Sequence, residues 1–206
     1  DLLVSTAGEW CRYTLSSGLE ARGDTGDVVV ASVASAVVGG RRVVVGCSAD
    51  RVAVWSAAGE LVRVFTTPQR KSLTKVLVHA GRILTSSDDG TVWSFGLTGD
   101  DGRKLVDHRG HPVTSMRVVS MGQEAFLLTT GMDGTVVRCP LSGDVERVVP
   151  VVNVGVPTKA ADVVGADELV VCTGLGTARI RLAPSWAGGR GGAGGPEGVD
   201  GSNGSG

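Results

Sequence analysis

Aromatic residues are scarce in this chain, at 4% of 206 residues, and long apolar runs are missing. A membrane-spanning helix needs about 20 consecutive apolar residues, and none of the apolar runs approaches that length. The sequence also lacks a positively charged opening followed by an apolar stretch, which is the pattern of a secretory signal. We therefore predict no membrane partner.

An excess of charge of either sign is missing as well, since 20 basic and 21 acidic residues leave a net charge of −1. Such a balance produces no overall field that would attract nucleic acid, so a charged partner must meet a local patch. The four cysteines (Cys11, Cys47, Cys139 and Cys172) form no Cys-x-x-Cys pair and have no histidine at metal-ligand spacing. We predict no metal, cofactor or disulfide, and an intracellular location in the cytoplasm or nucleus.

Valine is the residue that the chain has in abundance. Its branched side chain is stiff and packs well on a pleated sheet. Apolar residues with the 3.6-residue period of a helix never continue for long. The predicted fold class is all-β.

Five segments of the chain share one form, in which an apolar run, a tight turn and an alternating run follow each other. Aligned without gaps, their turn positions are Gly8, Asp50, Gly90, Gly134 and Gly176. The steps between these positions are 42, 40, 44 and 42 residues. A period of about 40 to 45 residues is typical of the four-stranded blades of a propeller.

Each repeat has room for four strands. Asp89-Gly90 and Asp133-Gly134, between two alternating runs, predict a hairpin that forms the two middle strands of a blade. Further alternating runs predict the other two. The inner strands are predicted at residues 27–34, 73–79, 113–119 and 158–163, and the outer strands at 60–65, 103–107 and 144–149.

Two segments, DDGTVWSFGL from Asp88 and MDGTVVRCPL from Met132, resemble the strand that closes a WD40 repeat. Gly110-His111 resembles the dipeptide that opens one. The resemblance implies a buried hydrogen-bonded tetrad, for which the fourth repeat supplies His111, Thr129 and Asp133. The tryptophan of that tetrad is replaced by Cys139, which predicts a truncated network. Across the five repeats the tryptophan position holds Tyr13, Trp55, Phe95, Cys139 and Arg181.

The strand count does not close a ring. The first repeat lacks its inner strand and the last lacks its outer strand, so residues 1–183 are predicted to form about four and a half to five blades of an incomplete WD40-like β-propeller. We expect a longer natural protein, or a partner that supplies the missing blades. Residues 184–206 are rich in glycine and are predicted to be a disordered tail.

The sequence indicates an interaction protein rather than an enzyme. It has three histidines and no strained serine elbow of the Gly-x-Ser-x-Gly type. The resemblance implies a non-catalytic scaffold for protein–protein interactions within a complex, with partner-binding candidates on one face of the propeller: Arg70, Lys71, Asp88, His108 and Arg109. The alternative is a non-catalytic subunit of the tRNA-modification or ribosome-assembly type, whose basic face binds RNA phosphate.

Overall fold

The computed structural model describes residues 2–5, 7–14, 18–121, 124–141, 148–165 and 167–182. These residues form eighteen strands and the turns between them, without a helix. None of the described residues therefore belongs to a helix long and apolar enough to cross a membrane. The predicted all-β class is confirmed.

The strands form five antiparallel sheets, each made of strands that follow one another in the chain. We call these sheets blades 1 to 5. Blade 1 contains β1 (Leu2–Ser5), β2 (Ala7–Thr14) and β3 (Gly18–Val29). Blade 2 contains β4 (Ser32–Val38), β5 (Arg41–Ser48), β6 (Arg51–Ser56) and β7 (Leu61–Thr66). Blade 3 contains β8 (Leu73–His79), β9 (Arg82–Ser87), β10 (Thr91–Gly96) and β11 (Arg103–Asp107). Blade 4 contains β12 (Val113–Met121), β13 (Glu124–Gly131), β14 (Thr135–Pro140) and β15 (Val149–Asn153). Blade 5 contains β16 (Thr158–Val164), β17 (Glu168–Thr173) and β18 (Gly176–Arg181).

The hydrophobic core consists of four apolar layers, each lying between two successive blades. Trp10 and Trp55 share the layer between blades 1 and 2, and Val45 and Phe95 share the next. Leu84 and Leu127 belong to the layer between blades 3 and 4, and Phe126 and Leu169 to the layer between blades 4 and 5. Each blade therefore covers the apolar face of its neighbour.

Neighbouring residues of one strand contribute to different layers. Val44 packs toward blade 1 and Val45 toward blade 3, and both are fully buried. In the same way, Ile83 packs toward blade 2 and Leu84 toward blade 4. Successive side chains of a strand point to opposite faces, so a strand buried on both faces becomes a continuous apolar run. This requirement explains the run of consecutive apolar residues in the second strand of each repeat.

The blades are arranged in series around one side of an open ring. Contacts run from β1 to β4, from β4 to β8, from β8 to β12 and from β12 to β16, while β1 and β16 make no comparable contact within the described residues. Among the described residues blade 1 has no strand equivalent to β4, because β1 pairs with β2 in the way that β5 pairs with β6. Blade 5 has no fourth strand within the described residues. The prediction of about four and a half blades is confirmed.

Two strand predictions need correction. Residues 27–29 belong to the outer strand β3 of blade 1, and the inner strand of blade 2 begins only at Ser32. Of the outer strand predicted at 144–149, residues 144–147 lie outside the described residues, and the described outer strand of blade 4 is β15. The outer strand β3 was not predicted, because its glycines interrupt the alternation. The predicted tail, 184–206, lies outside the described residues.

Three of the five turn positions lie in turns. Gly90 and Gly134 have φ of 88° and 80°, and each amide donates to the carbonyl three residues earlier. Asp89 and Asp133 do not have positive φ, so these are not the mirror-image turns that Asp-Gly suggests but turns closed by a left-handed glycine. Asp50 lies in the β5–β6 turn. Gly8 lies within β2 instead, and Gly176 pairs with Thr173 as the first residue of β18.

Candidate functional site

A buried histidine joins blade 3 to blade 4. His108 follows the last strand of blade 3 and is 1% exposed. Its Nε2 lies 2.9 Å from Thr129 Oγ1 in β13. Its Nδ1 lies 3.1 Å from Asp133 Oδ1 and 2.9 Å from Thr135 Oγ1. We call His108, Thr129, Asp133 and Thr135 the histidine network.

The protonation states of His108 and Asp133 determine which atoms of the network donate and which accept. Burial lowers the pKa of His108, although the Asp133 carboxylate opposes that effect. Burial raises the pKa of Asp133, but hydrogen bonds from Thr135 and His108 outweigh it and the net shift is downward. A carboxylate only accepts, so Nδ1–H of a neutral imidazole donates to Asp133, and Nε2 accepts from the Thr129 hydroxyl. The network carries one negative charge, held by donors from both blades.

The prediction that His111 belongs to the tetrad is wrong. His111 is exposed, and its only described side-chain bond joins Nδ1 to the carbonyl of His108 at 3.3 Å. The partner-binding prediction for His108 is also wrong, because a side chain that is 1% exposed cannot meet a partner. Thr129 and Asp133 are brought together as predicted. The position of His108 directly after β11 is the sequence signal that could have identified it.

Blade 3 carries an equivalent network that the sequence analysis missed. Thr85 occupies in β9 the place of Thr129 in β13, and its hydroxyl donates to Gln69 Oε1 at 2.6 Å. Gln69 Nε2 donates to the Thr91 carbonyl at 3.0 Å. Gln69 is 5% exposed. A glutamine therefore joins blade 2 to blade 3 in the way that His108 joins blade 3 to blade 4.

The side chains at the tryptophan position contact the preceding blade in a different way. Trp55 Nε1 donates to the carbonyl of Asp24 in blade 1 at 3.1 Å. Cys139 directs its Sγ at the carbonyl of Leu105 in blade 3, at 3.9 Å, and not at the histidine network. The network of blade 4 is thus truncated as predicted. Arg181 is exposed, and Ile180 pairs with Leu169 at the equivalent place in blade 5.

One face of the propeller, which we call the upper face, is formed by two kinds of connection: the turns between second and third strands, and the loops from one blade to the next. Loop 67–72 is bound to the turn of blade 3, because Arg70 N donates to Asp89 Oδ2 at 2.7 Å and Asp88 N donates to the Ser72 carbonyl at 3.0 Å. His108 N donates to the Gly90 carbonyl at 2.8 Å, which binds loop 108–112 to the same turn. The structure thus brings Arg70, Lys71, Asp88 and Arg109 onto one face.

Two carboxylates of the upper face, those of Asp89 and Asp107, are engaged internally, whereas the cations are not. Asp89 accepts from Thr91 N and Thr91 Oγ1 at 2.9 and 2.6 Å. Burial raises the pKa of Asp89, but these and other hydrogen bonds lower it overall. Asp107 accepts from Lys104 Nζ at 2.8 Å, the main cause of its lowered pKa.

Three cations on this face are exposed: Arg70, Lys71 and Arg109. Their side chains make no hydrogen bond or ion pair with the described part of the chain. The neighbouring Asp89 and Asp107 carboxylates are already hydrogen-bonded within the chain. The three cations are therefore available to a partner, on a face that also carries the half-buried Asp88.

Metal-ligand geometry is absent from the described ranges, where no three His, Cys, Asp or Glu side chains come together. All four cysteines are free thiols. Burial raises the pKa of Cys47 to about 12 and that of Cys139 to about 11. These two thiols act as packing groups within the apolar layers.

The arrangement of the blades is shared with solved propeller structures. The WD40 β-propeller domain of Doa1 matches with a TM-score of 0.67 at 16% identity, over 86% of this chain and 58% of that domain. The fold is an open β-propeller. Two computationally designed proteins also match: Ika4 with a TM-score of 0.59 at 18% identity (79% of this chain, 97% of that one), and Ika8 with 0.64 at 18% (88% and 55%).

Neither a protein family model nor a curated protein sequence matches the chain. At identities of 16% to 18%, the structural likeness shows the fold alone. This propeller spans a little over half the length of the Doa1 domain and of Ika8.

Proposed function

We propose that this chain is a non-catalytic interaction scaffold that binds an acidic partner protein on its upper face. The observation that carries the proposal is the set of exposed cations, Arg70, Lys71 and Arg109, beside which the Asp89 and Asp107 carboxylates are bound internally. The candidate Asp88 lies on the same face and is half-buried. Loops on a stiff scaffold are suited to binding, and charge complementarity across an interface raises specificity and association rate.

The stiffness of this face supports the proposal. Loop 67–72 receives hydrogen bonds from Asp88 N and from Ser87 Oγ, which donates to the Lys71 carbonyl at 3.0 Å. Arg109 N donates to Asp107 Oδ1 at 2.8 Å. The backbone that carries each cation is therefore fixed before binding, so only the side chain is ordered when the partner arrives.

The test compares charge reversals at opposite ends of the blades. Arg70→Glu changes the upper face, and Arg41→Glu is the matched control, because Arg41 is equally an exposed arginine but begins β5 at the other end. The full chain and both variants are used to capture proteins from nuclease-treated extract, and the recovered proteins are quantified. We expect Arg70→Glu to reduce recovery of specific partners about tenfold and Arg41→Glu to leave it unchanged. Equal recovery with both variants would exclude this face.

The RNA-associated alternative makes a different prediction from the same cations. Contacts with phosphate release counterions, so RNA affinity falls steeply as salt increases. Binding of a single-stranded RNA that weakens steeply between low and physiological salt, and that Arg70→Glu abolishes, would replace the protein partner by RNA.

A further inference from the structure

The outer strand of blade 2 is an exposed and apolar sheet edge. Among the described strands, β7 pairs with β6 alone and ends the sheet. Its residues Leu61, Val62 and Val64 are 58%, 64% and 47% exposed. Large aliphatic side chains mostly lie inside a protein, and an edge strand that exposes several of them is a template for pairing with a further strand.

The other described outer strands carry residues that oppose such pairing, whereas β7 has almost none. The edge strand β11 carries the charges of Arg103, Lys104 and Asp107. The edge strand β15 contains Pro150, which has no amide hydrogen to donate. Three glycines and four charged residues interrupt β3. In β7 there is neither glycine nor proline, and Arg63 is its single charged residue.

The hydrogen-bonding groups of the free edge follow from the pairing of β7 with β6. The amide of Thr67 donates to the Asp50 carbonyl at 2.8 Å, and alternate residues of an antiparallel strand bond to the same neighbour. Counting back along the strand, Phe65 bonds toward β6, whereas the amides and carbonyls of Val64 and Thr66 point away from it. This edge therefore offers donors and acceptors in the middle of its apolar stretch.

A second copy of β7 is complementary to this edge. Two symmetric antiparallel registers bring the outward groups together and keep five residues of each strand paired. The register centred on Arg63 places two like charges opposite each other, which is destabilising. The register centred on Val64 pairs residues 62–66 instead. It places valine opposite valine and Arg63 opposite the ring of Phe65, which is a favourable pair.

The position of β7 in the fold leaves room for a second copy. The first strands of successive blades contact one another, so β7, as the fourth strand of its blade, lies on the outer rim of the propeller. Two propellers that meet along this rim diverge on either side of the contact. Antiparallel pairing also turns the two upper faces in opposite directions, so that both stay open.

We propose that two copies of this chain associate through antiparallel pairing of their β7 strands, centred on Val64. The two four-stranded blades then form one continuous sheet. A contact of one strand on each side is smaller than a standard protein interface, so we expect a weak dimer with a dissociation constant of about 10–100 μM. This association is separate from the proposed function of the upper face, and it would allow one dimer to hold two partners.

The first test compares lysine substitutions on two outer strands. Val64 and Val149 are exposed valines, at 47% and 52%, and Val149 precedes Pro150 in β15. The self-association of the full chain is measured by sedimentation equilibrium up to about 500 μM. We expect Val64→Lys to raise the dissociation constant at least about tenfold, because two like charges would lie opposite each other, and Val149→Lys to leave it unchanged. Circular dichroism and thermal unfolding check that both variants fold.

The second test reads the register by cysteine cross-linking, in a chain whose Cys11 and Cys172 are replaced by serine. Residues directly opposite in a hydrogen-bonded antiparallel pair have Cα atoms about 5.5 Å apart, which a disulfide can span. We expect Val64→Cys to cross-link two copies on mild oxidation, and Arg63→Cys to remain largely monomeric. Preferential cross-linking of Arg63→Cys would overturn the register.

The possible results separate this association from the proposed function. A chain that stays monomeric throughout the concentration range would overturn the dimer. Equal dissociation constants for Val64→Lys and Val149→Lys would show that copies meet elsewhere, and β7 would be excluded. Arg70→Glu should leave the dimer intact, so loss of partner capture in that variant, with the dissociation constant unchanged, supports both proposals as independent.

Discussion

Replacement of His108 by alanine is the most informative perturbation of the described network. The imidazole is 1% exposed and contacts three side chains of the next blade. His111, three residues later, is exposed and contacts only a carbonyl. The two histidines therefore form a matched pair within one loop.

The magnitude follows from what each substitution leaves behind. Without His108, the hydroxyl of Thr129, which is 0% exposed, loses its partner, and an unsatisfied buried polar group costs about 1–3 kcal/mol. The space left by the ring adds a further cost of about 1–2 kcal/mol, as for other large-to-small changes in a core. Asp133 keeps its bonds from Thr135. We expect His108→Ala to lower the free energy of unfolding by about 3 kcal/mol, and His111→Ala by less than about 0.5 kcal/mol.

The assay is equilibrium unfolding in urea, followed by tryptophan fluorescence and by far-ultraviolet circular dichroism. His108→Gln is a third variant, because Gln69 occupies the equivalent place between blades 2 and 3, and it should lose only about 1 kcal/mol. The reasoning is refuted if His108→Ala and His111→Ala destabilise the chain equally.

Three further predictions concern the same layers of the structure. Burial lowers the pKa of His108 below 6.5, so the folded protein binds fewer protons than the unfolded chain. Stability should therefore fall as the pH drops through and below about 6.5. Urea unfolding at several pH values should show this loss, and His108→Gln should remove it. Gly131→Ala should destabilise the chain by about 2–3 kcal/mol, because its Cβ would lie 2.4 Å from Asp133 Oδ1 and 2.5 Å from His108 Nδ1; a midpoint within experimental error of wild type would contradict the crowding. Burial raises the pKa of Cys47 to about 12 and that of Cys139 to about 11. Both thiols should therefore react with a disulfide reagent at pH 8 only as fast as the chain unfolds. Rapid labelling of single-cysteine variants in the native protein would show that the apolar layers around these thiols are open.

Most of the strands, although not β3, could be predicted from the sequence, because they appear as apolar runs separated by turn residues. Residues 73–79 and 103–107 were predicted with their observed bounds, since alternating β-branched residues and turn residues are local signals. The period of about 42 residues also predicted the series of blades. In blade 5 it is Ile180 that pairs with Leu169, and the aligned Arg181 is exposed.

The candidate site was less predictable, because it depends on contacts between blades. His108 and His111 lie in one loop, and only the path of that loop decides which ring enters the interface. Gln69 has no sequence signal as a substitute for histidine until it is seen beside Thr85.

The radial order of the blades is tested most directly by nuclear Overhauser effects between aromatic rings. The chain has few aromatic residues, and two ring pairs join different blades: Trp10 with Trp55, whose centroids lie 6.1 Å apart, and Phe65 with Phe95, at 5.6 Å. The open propeller predicts cross-peaks within both pairs, together with slow exchange of the Trp55 indole proton that is bonded to Asp24. Absence of both sets of cross-peaks in a folded, well-dispersed spectrum would contradict the stacking of successive sheets.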